Sequence, residues 1–490
     1  MTEKPTLSAL VRSLPSAPLR TTLFIAISWA TGAGCSLPRD VHGTAIDTLG
    51  SAEDPDYQMQ RVWWQPIQAL APNGPEYQVL SAHVDRDGKF FIPAVPGGAY
   101  WLAFPDENTA RRGDANIFVW TEASEFDLGR SGQTGILGGT ARLPMPTPLT
   151  GLLPVQQGDW IEAYATSHIW SSTWMLPTPD AVEATWPSAA GPIPLGNDPS
   201  DRIVVKQWRN SVIDGVSVQA SVRAGSRVAP ADLDKTLSFA LSGSVPATFD
   251  ASIDHGGFMN QLSGLAGPFD TSLTLLATAD LSATPVGVAE KLLRLANVAT
   301  PGGDPSASGL SYVDPYPAAW SRRFELRYLN TKDYPVEGTS VRKSCSSGLV
   351  RFGTASELQR GPLRPILSLP QSVAIDGSPA MVARDRVALS PTITWQAPAL
   401  GTVSFYALQL VRLVDDPERE TPAIVAGTFL TSRTEVTIPP GVLQAGMRYY
   451  LELTAVTGLG SDALIAPRSA LARSLSQSSA HVCSATFNTR

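Results

Sequence analysis

Four tryptophans, Trp160, Trp170, Trp174 and Trp186, fall within 27 residues beside Tyr164, and exposed indole faces stack on sugar rings. A hydrophobic core would use the same rings, since each carries a large apolar area. Trp170 and Trp174 lie in a Ser/Thr-rich stretch and are the candidate ligand-binding residues. A glycoside hydrolase needs two carboxylates at a set separation across a cleft. Asp159, Glu162 and Asp254 are available, with nothing in the sequence to select a pair. The five histidines, His42, His83, His168, His255 and His481, show no i, i+4 pair and no His-Glu-x-x-His, so neither a metal nor another cofactor is expected. Asp85-x-Asp87-Gly88 opens like a calcium loop but lacks the glutamate that closes one. No Gly-x-Ser-x-Gly elbow occurs, and Ser340-Val341-Arg342-Lys343 lacks the Ser-Asp-Asn and Lys-Thr-Gly companions of a Ser-x-x-Lys enzyme. Gly135-Ile136-Leu137-Gly138-Gly139 lacks the spacing of a phosphate cradle, and Arg112-Gly113-Asp114 reads as a polar loop. No catalytic residue is assigned, and the chain reads as a non-enzyme.

The scaffold that must position these groups is legible in outline. A chain of 490 residues exceeds what one core supports, so two to four domains are expected. Charged residues make up 17 %, whereas Gly (40) and Pro (41) are abundant, which describes short strands and many turns. Lys and Arg number 37 against 44 Asp and Glu, for a net charge of −7. That mild acidity argues against nucleic acid as a partner. The expected fold class is all-β, a tandem of antiparallel β-sandwiches.

Residues 83–102 run strand, Asp-Gly turn, strand, Pro-Gly turn, strand. The run Asp85-Arg86-Asp87-Gly88-Lys89-Phe90-Phe91-Ile92, continued by Val95-Pro96-Gly97-Gly98-Ala99-Tyr100-Trp101-Leu102, resembles the prealbumin-like or carboxypeptidase-regulatory β-sandwich. The resemblance implies such a domain over 35–140, with Tyr100 and Leu102 in its core. Residues 141–363 alternate strand candidates, such as 160–164, 203–205, 216–220, 237–241, 272–276 and 324–328, with turn clusters. They are expected to form one large or two small sandwiches. Glu290 to Ala296 fits a helical turn or a strand. From 364 to 490, Leu389, Pro391, Ile393 and Trp395 alternate ahead of Phe405 to Val411, and Leu443-x-x-Gly446-x-x-Tyr449-x-Leu451 follows. This region resembles a fibronectin type III domain, with the second run entering strand F through a tyrosine corner.

The N-terminal end suggests an address. Leu23 to Ala30 is apolar, too short to span a bilayer, preceded by Lys4, Arg12 and Arg20 and followed by Gly32-Ala33-Gly34-Cys35. This resembles a bacterial lipoprotein signal over 1–34, which implies cleavage before Cys35 and acyl chains on it. Secretion after a cut at a small residue is the alternative. Ser36 in place of an Asp implies the outer membrane or cell surface, reached through the lipid anchor. Loss of Lys4, Arg12, Arg20 and Glu3 with the signal would take the net charge from −7 to −9. With Cys35 acylated, Cys345 and Cys483 remain to form one disulfide in an oxidising compartment. The functional expectation is a non-enzymatic cell-envelope lipoprotein that binds or scaffolds, its partner a surface protein or polysaccharide. The alternative is a carbohydrate-active surface protein, either a sugar-binding subunit or a glycoside hydrolase.

Overall fold

The computed structural model describes residues 37–50, 58–62, 66–74, 76–105, 116–129, 131–133, 140–141, 147–150, 159–165, 171–175, 183–184, 193–194, 202–213, 215–228, 239–242, 247–265, 267–278, 289–298, 306–316, 318, 320–336, 340–413, 423–467 and 478–490. Cys35, Arg112 to Asp114, Gly135 to Gly139, Trp170 and Trp186 lie outside them. The fold is all-β. Among the described residues, no helix is long and apolar enough to cross a membrane.

Sixteen strands make one continuous hydrogen-bonded sheet. They are β1 (Gln68–Asn73), β2 (Glu76–Ser81), β3 (Tyr100–Pro105), β4 (Asn116–Thr121), β5 (Trp160–Ala165), β6 (Ser171–Met175), β7 (Arg202–Ile213), β8 (Val216–Val228), β9 (Asp270–Thr278), β10 (Ala289–Ala296), β11 (Ser321–Pro335), β12 (Arg342–Thr354), β13 (Phe405–Leu413), β14 (Ala423–Thr431), β15 (Arg448–Thr457) and β16 (Ser478–Cys483). Their spatial order is β6-β5-β7-β8-β10-β9-β11-β12-β16-β15-β13-β14-β4-β3-β1-β2. Every neighbour is antiparallel except β14 and β4, which run parallel with Phe429 opposite Phe118. Two short strands, Arg384–Val387 and Phe487–Thr489, branch from it.

Three second layers cover this sheet. At the N-terminal end, Arg39–Thr44 pairs with Lys89–Val95 and, in parallel, with Glu125–Asp127. Their Val41, Phe90, Ile92 and Phe126 pack on Ala69, Leu102, Phe104, Ile117 and Val119 of β1, β3 and β4. Tyr100 and Leu102 are buried in this core. The Asp85 carboxylate accepts hydrogen bonds from the N–H of Asp87 (2.9 Å) and of Lys89 (2.8 Å), while Gly88 holds φ +73°. Asp85 thus closes a hairpin turn.

In the centre, the two-stranded ribbon of Ala247–Ser252 and Ser306–Tyr312 and the short helix α1 (His255–Gln261) supply Phe249, Phe258 and Leu310. These pack on Leu273, Leu275, Leu293, Leu295, Phe324 and Tyr328 of β9 to β11. Phe258 stacks on Tyr328 with ring centroids 4.6 Å apart.

At the C-terminal end, Gln371–Ile375, Ser378–Pro379, Thr392–Gln396 and Glu435–Thr437 form a four-stranded sheet against β13, β14, β15 and β16. The two sheets form a β-sandwich. Ile393 and Trp395 enter its core. The second strand begins only at Thr392, so Leu389 lies outside it and is exposed. The tyrosine corner is present: buried Tyr449 accepts a hydrogen bond on its hydroxyl from the backbone N–H of Gln444 at 2.9 Å. Tyr449→Phe leaves that N–H without its partner, and a loss of about 1–3 kcal/mol is expected in denaturant unfolding. An unchanged midpoint would show that the corner is merely tolerated.

The edges explain why the sheet is continuous. An isolated β-sandwich has open edges on each sheet, and unpaired edge strands are prone to association. Here β14 is taken by β4 on one side, and β16 is taken by β12 on the other. Side chains cross both seams. Phe118 stacks on Phe429 at 4.7 Å with an 8° interplanar angle, while Phe405 and Leu430 join the N-terminal core.

Candidate functional site

The C-terminal sandwich carries a cleft at each seam. The first, of about 380 Å³, lies between β1, β3 and β4 and the Pro439-Pro440-Gly441 turn. Arg412 of β13 lines it and donates to the Gln444 side chain.

The second cleft, of about 310 Å³, opens on the β11-β12-β16-β15 face and is lined by Glu325, Arg327, Val350, Glu452, Ser479 and His481, among others. Strand period and register assemble it. Residues i and i+2 share a face, so Ser479 and His481 stand side by side on β16. Across the strands, Arg327 is opposite Val350 and Val350 is opposite Ser479. In the next row, Gly348 is opposite His481, which is opposite Thr454. The Ser479 hydroxyl lies 2.8 Å from His481 Nε2. His481 Nδ1 lies 3.0 Å from the Thr454 hydroxyl and 3.4 Å from Glu452 Oε1. Arg327 Nε is held by Glu325. Beneath the cleft lies the Cys345–Cys483 disulfide, buried in its own cluster, with Glu452 Oε2 3.8 Å from the Cys345 sulfur.

This Ser, His and Glu were not among the sequence candidates. Ser-x-His on one strand has the right spacing to share a face, but the glutamate comes from a neighbouring strand 27 residues earlier than Ser479. Register, which short motifs do not carry, brings it there.

The sequence candidates have other surroundings. Trp174 lies on β6, with Ile161 of β5 opposite it. Asp159 is buried and paired with Arg209 at 3.0 Å. Glu162 accepts from the indole N–H of Trp208 at 2.7 Å and lies 3.2 Å from the ammonium of fully buried Lys206. Burial, reinforced by the Glu162 carboxylate, pushes the Tyr316 phenol well above its ordinary value, so it stays neutral beside that pair. Asp254 caps α1, accepting from the Gly257 N–H at 2.7 Å. The three carboxylates are thus engaged in ion pairs or a helix cap. Among the described residues, no group of three or more His, Cys, Asp or Glu is placed to hold a metal ion.

No family model matches the sequence, and no curated protein matches it. Two solved structures align with nearly the whole chain. One is the chicken CNTN1 FN1-FN3 domains, 7% identical over 92% of this chain and 98% of that one, with a TM-score of 0.14. The other is a tetra-tandem repeat in the extending region of a large adhesion protein, 11% identical over 91% of this chain and 99% of that one, with a TM-score of 0.13. The all-β class rests on the strands and cores described above.

Proposed function

We propose that the protein is an exported envelope protein, anchored to the outer membrane or cell surface through acylated Cys35, that binds or scaffolds a surface protein or polysaccharide. The observation that carries the scaffolding role is the sheet that runs unbroken through three packed layers. Independent sandwiches on flexible linkers reorient freely, whereas strand pairing at both seams fixes the spacing and orientation of their loops. The disulfide between β12 and β16 suits an oxidising compartment outside the cytosol. The apolar run behind Lys4, Arg12 and Arg20 and the small residues before Cys35 support export and lipidation. The engagement of Asp159, Glu162 and Asp254 in ion pairs and a helix cap favours binding over glycoside hydrolysis by those residues.

The test is the intact mass of the protein extracted from its native membrane, before and after reduction and alkylation. The expected chain begins at Cys35 with added acyl groups and exposes two thiols only on reduction. A soluble chain without lipid, or one with free thiols from the outset, would overturn the anchored reading.

A further inference from the structure

We propose that Ser479, His481 and Glu452 form an acyl-transfer site that cleaves small carboxylic esters in the cleft between β11, β12, β15 and β16. The inference is independent of the envelope role, which stands or falls on lipidation.

The geometry is that of a serine triad, which is recognised by roles and distances and not by position in the chain. The nucleophile and base are 2.8 Å apart, within the range for proton transfer. The other imidazole nitrogen faces a hydroxyl at 3.0 Å and a carboxylate at 3.4 Å. Those two groups orient the ring and stabilise the imidazolium that forms when Ser479 gives up its proton.

Gly348 stands opposite His481, where the close approach of the β11 backbone leaves no space for a side chain. Its φ is +147°, and a Cβ there would lie 1.9 Å from the Tyr328 carbonyl oxygen. Ser479 sits in a ladder, so the developing oxyanion must be met by a side chain. Arg327 is two strands away in the same cross-strand row, and neighbouring strands are spaced at about 4.8 Å. Arg327 lines the same cleft with its Nε held by Glu325, and in this proposal its terminal amino groups meet the substrate oxygen. A cleft of about 310 Å³ suits a short acyl group.

In the first step, Ser479 Oγ bonds to the ester carbonyl carbon while its proton passes to His481 Nε2. The carbon–oxygen bond to the alcohol then breaks, and the alcohol leaves with that proton. In the second step, water adds to the acyl-serine, His481 taking and returning its proton. The acid departs and Ser479 is restored. One ester and one water give one acid and one alcohol, with no change of oxidation state.

The test labels the full chain with an alkyl fluorophosphonate, which phosphonylates an activated serine with loss of fluoride, and maps the adduct by peptide mass. Hydrolysis of 4-nitrophenyl acetate gives the rate. The expected result is one adduct, on Ser479. Ser479→Ala removes it, His481→Gln slows labelling by roughly 100-fold or more, and Glu452→Gln and the half-exposed Arg327→Gln slow hydrolysis by about 10-fold or more. Absence of an adduct on Ser479 in the folded wild-type chain overturns the proposal without needing any variant. So does an equal hydrolysis rate in a Ser479→Ala chain that keeps its disulfide and thermal transition.

Discussion

Lys206→Ala is expected to destabilise the central part of the sheet by about 3–5 kcal/mol, the usual cost of removing one partner from a buried ion pair. Lys206 is fully buried on β7, and its ammonium lies 3.2 Å from Glu162 on β5, its register partner. It also donates to the Lys291 carbonyl at 3.0 Å, on β10 beyond β8. Trp208 and Tyr316 present ring faces 4.9 Å and 5.6 Å from the nitrogen. One side chain therefore ties three strands through charge, hydrogen bond and aromatic contact. Its removal leaves the Glu162 carboxylate with the Trp208 indole but without a cation, in surroundings that solvate charge poorly. Glu162 has a mostly buried side chain, 12% exposed, so water cannot fully take over. Lys206→Met with Glu162→Gln deletes both charges while keeping volume, and should recover most of the loss. Urea unfolding followed by tryptophan fluorescence measures both. If Lys206→Ala and the double variant unfold at the same midpoint as wild type, the pair is not what fixes this part of the sheet.

What the sequence made legible is what local spacing controls. The tyrosine corner was readable because Leu443, Gly446 and Tyr449 meet within one turn and one strand start. The same holds for the Asp85 to Lys89 hairpin, where a carboxylate, two backbone N–H groups and a glycine in positive φ act within five residues. Glu290 to Ala296 was ambiguous because Leu292, Leu293 and Leu295 fit neither a period of 2 nor one of 3.6 cleanly. Pairing with β8 and β9 on its two sides resolves it as a strand, and a strand buried on both faces need not alternate. Leu389 and Pro391 continue the alternation of Ile393 and Trp395 in the sequence, but both precede Thr392, where the ladder begins.

The seams were not legible at all. Phe118 and Phe429 are 311 positions apart, and nothing in either strand marks it as the other's partner. The Ser479 cleft is lost for the same reason. Arg327, Gly348, Ser479 and Glu452 come from four strands, and their meeting depends on register across three ladders. A search for histidine pairs or for a serine elbow passes over them, since each motif presumes a helix or a turn as the carrier. Long-range strand pairing thus determines both the stiffness of the molecule and the site it carries.

Replacing both Cys345 and Cys483 with Ala is expected to cost up to about 5 kcal/mol, and to open the seam between β12 and β16 before the rest of the sheet. The bridge closes 138 residues, and a cross-link over so long a loop removes much entropy from the unfolded chain. Its native setting concentrates the effect. The β12–β16 ladder is only four pairs long, from Gly348 opposite His481 to Arg351 opposite Ser478. Next to it, Tyr334 and Tyr450 stack with centroids 4.6 Å apart, and Tyr334 donates its hydroxyl proton to the Ser484 carbonyl. Val336, Val411 and Leu413 complete the cluster around the sulfurs. Burial, and then the Glu452 carboxylate, raise both phenols above their ordinary value, so neither ionises across the working range. Both cysteines are nearly inaccessible, at 3% and 4% exposure. A reductant should therefore fail to cut the bridge in the native protein and should succeed once the seam opens. Hydrogen exchange of the double variant should show faster exchange in β12 and β16, with β13 to β15 still protected. If dithiothreitol reduces the native chain at the rate of an unfolded one, or if exchange rises uniformly through the sheet, the disulfide is not the fastening of this seam.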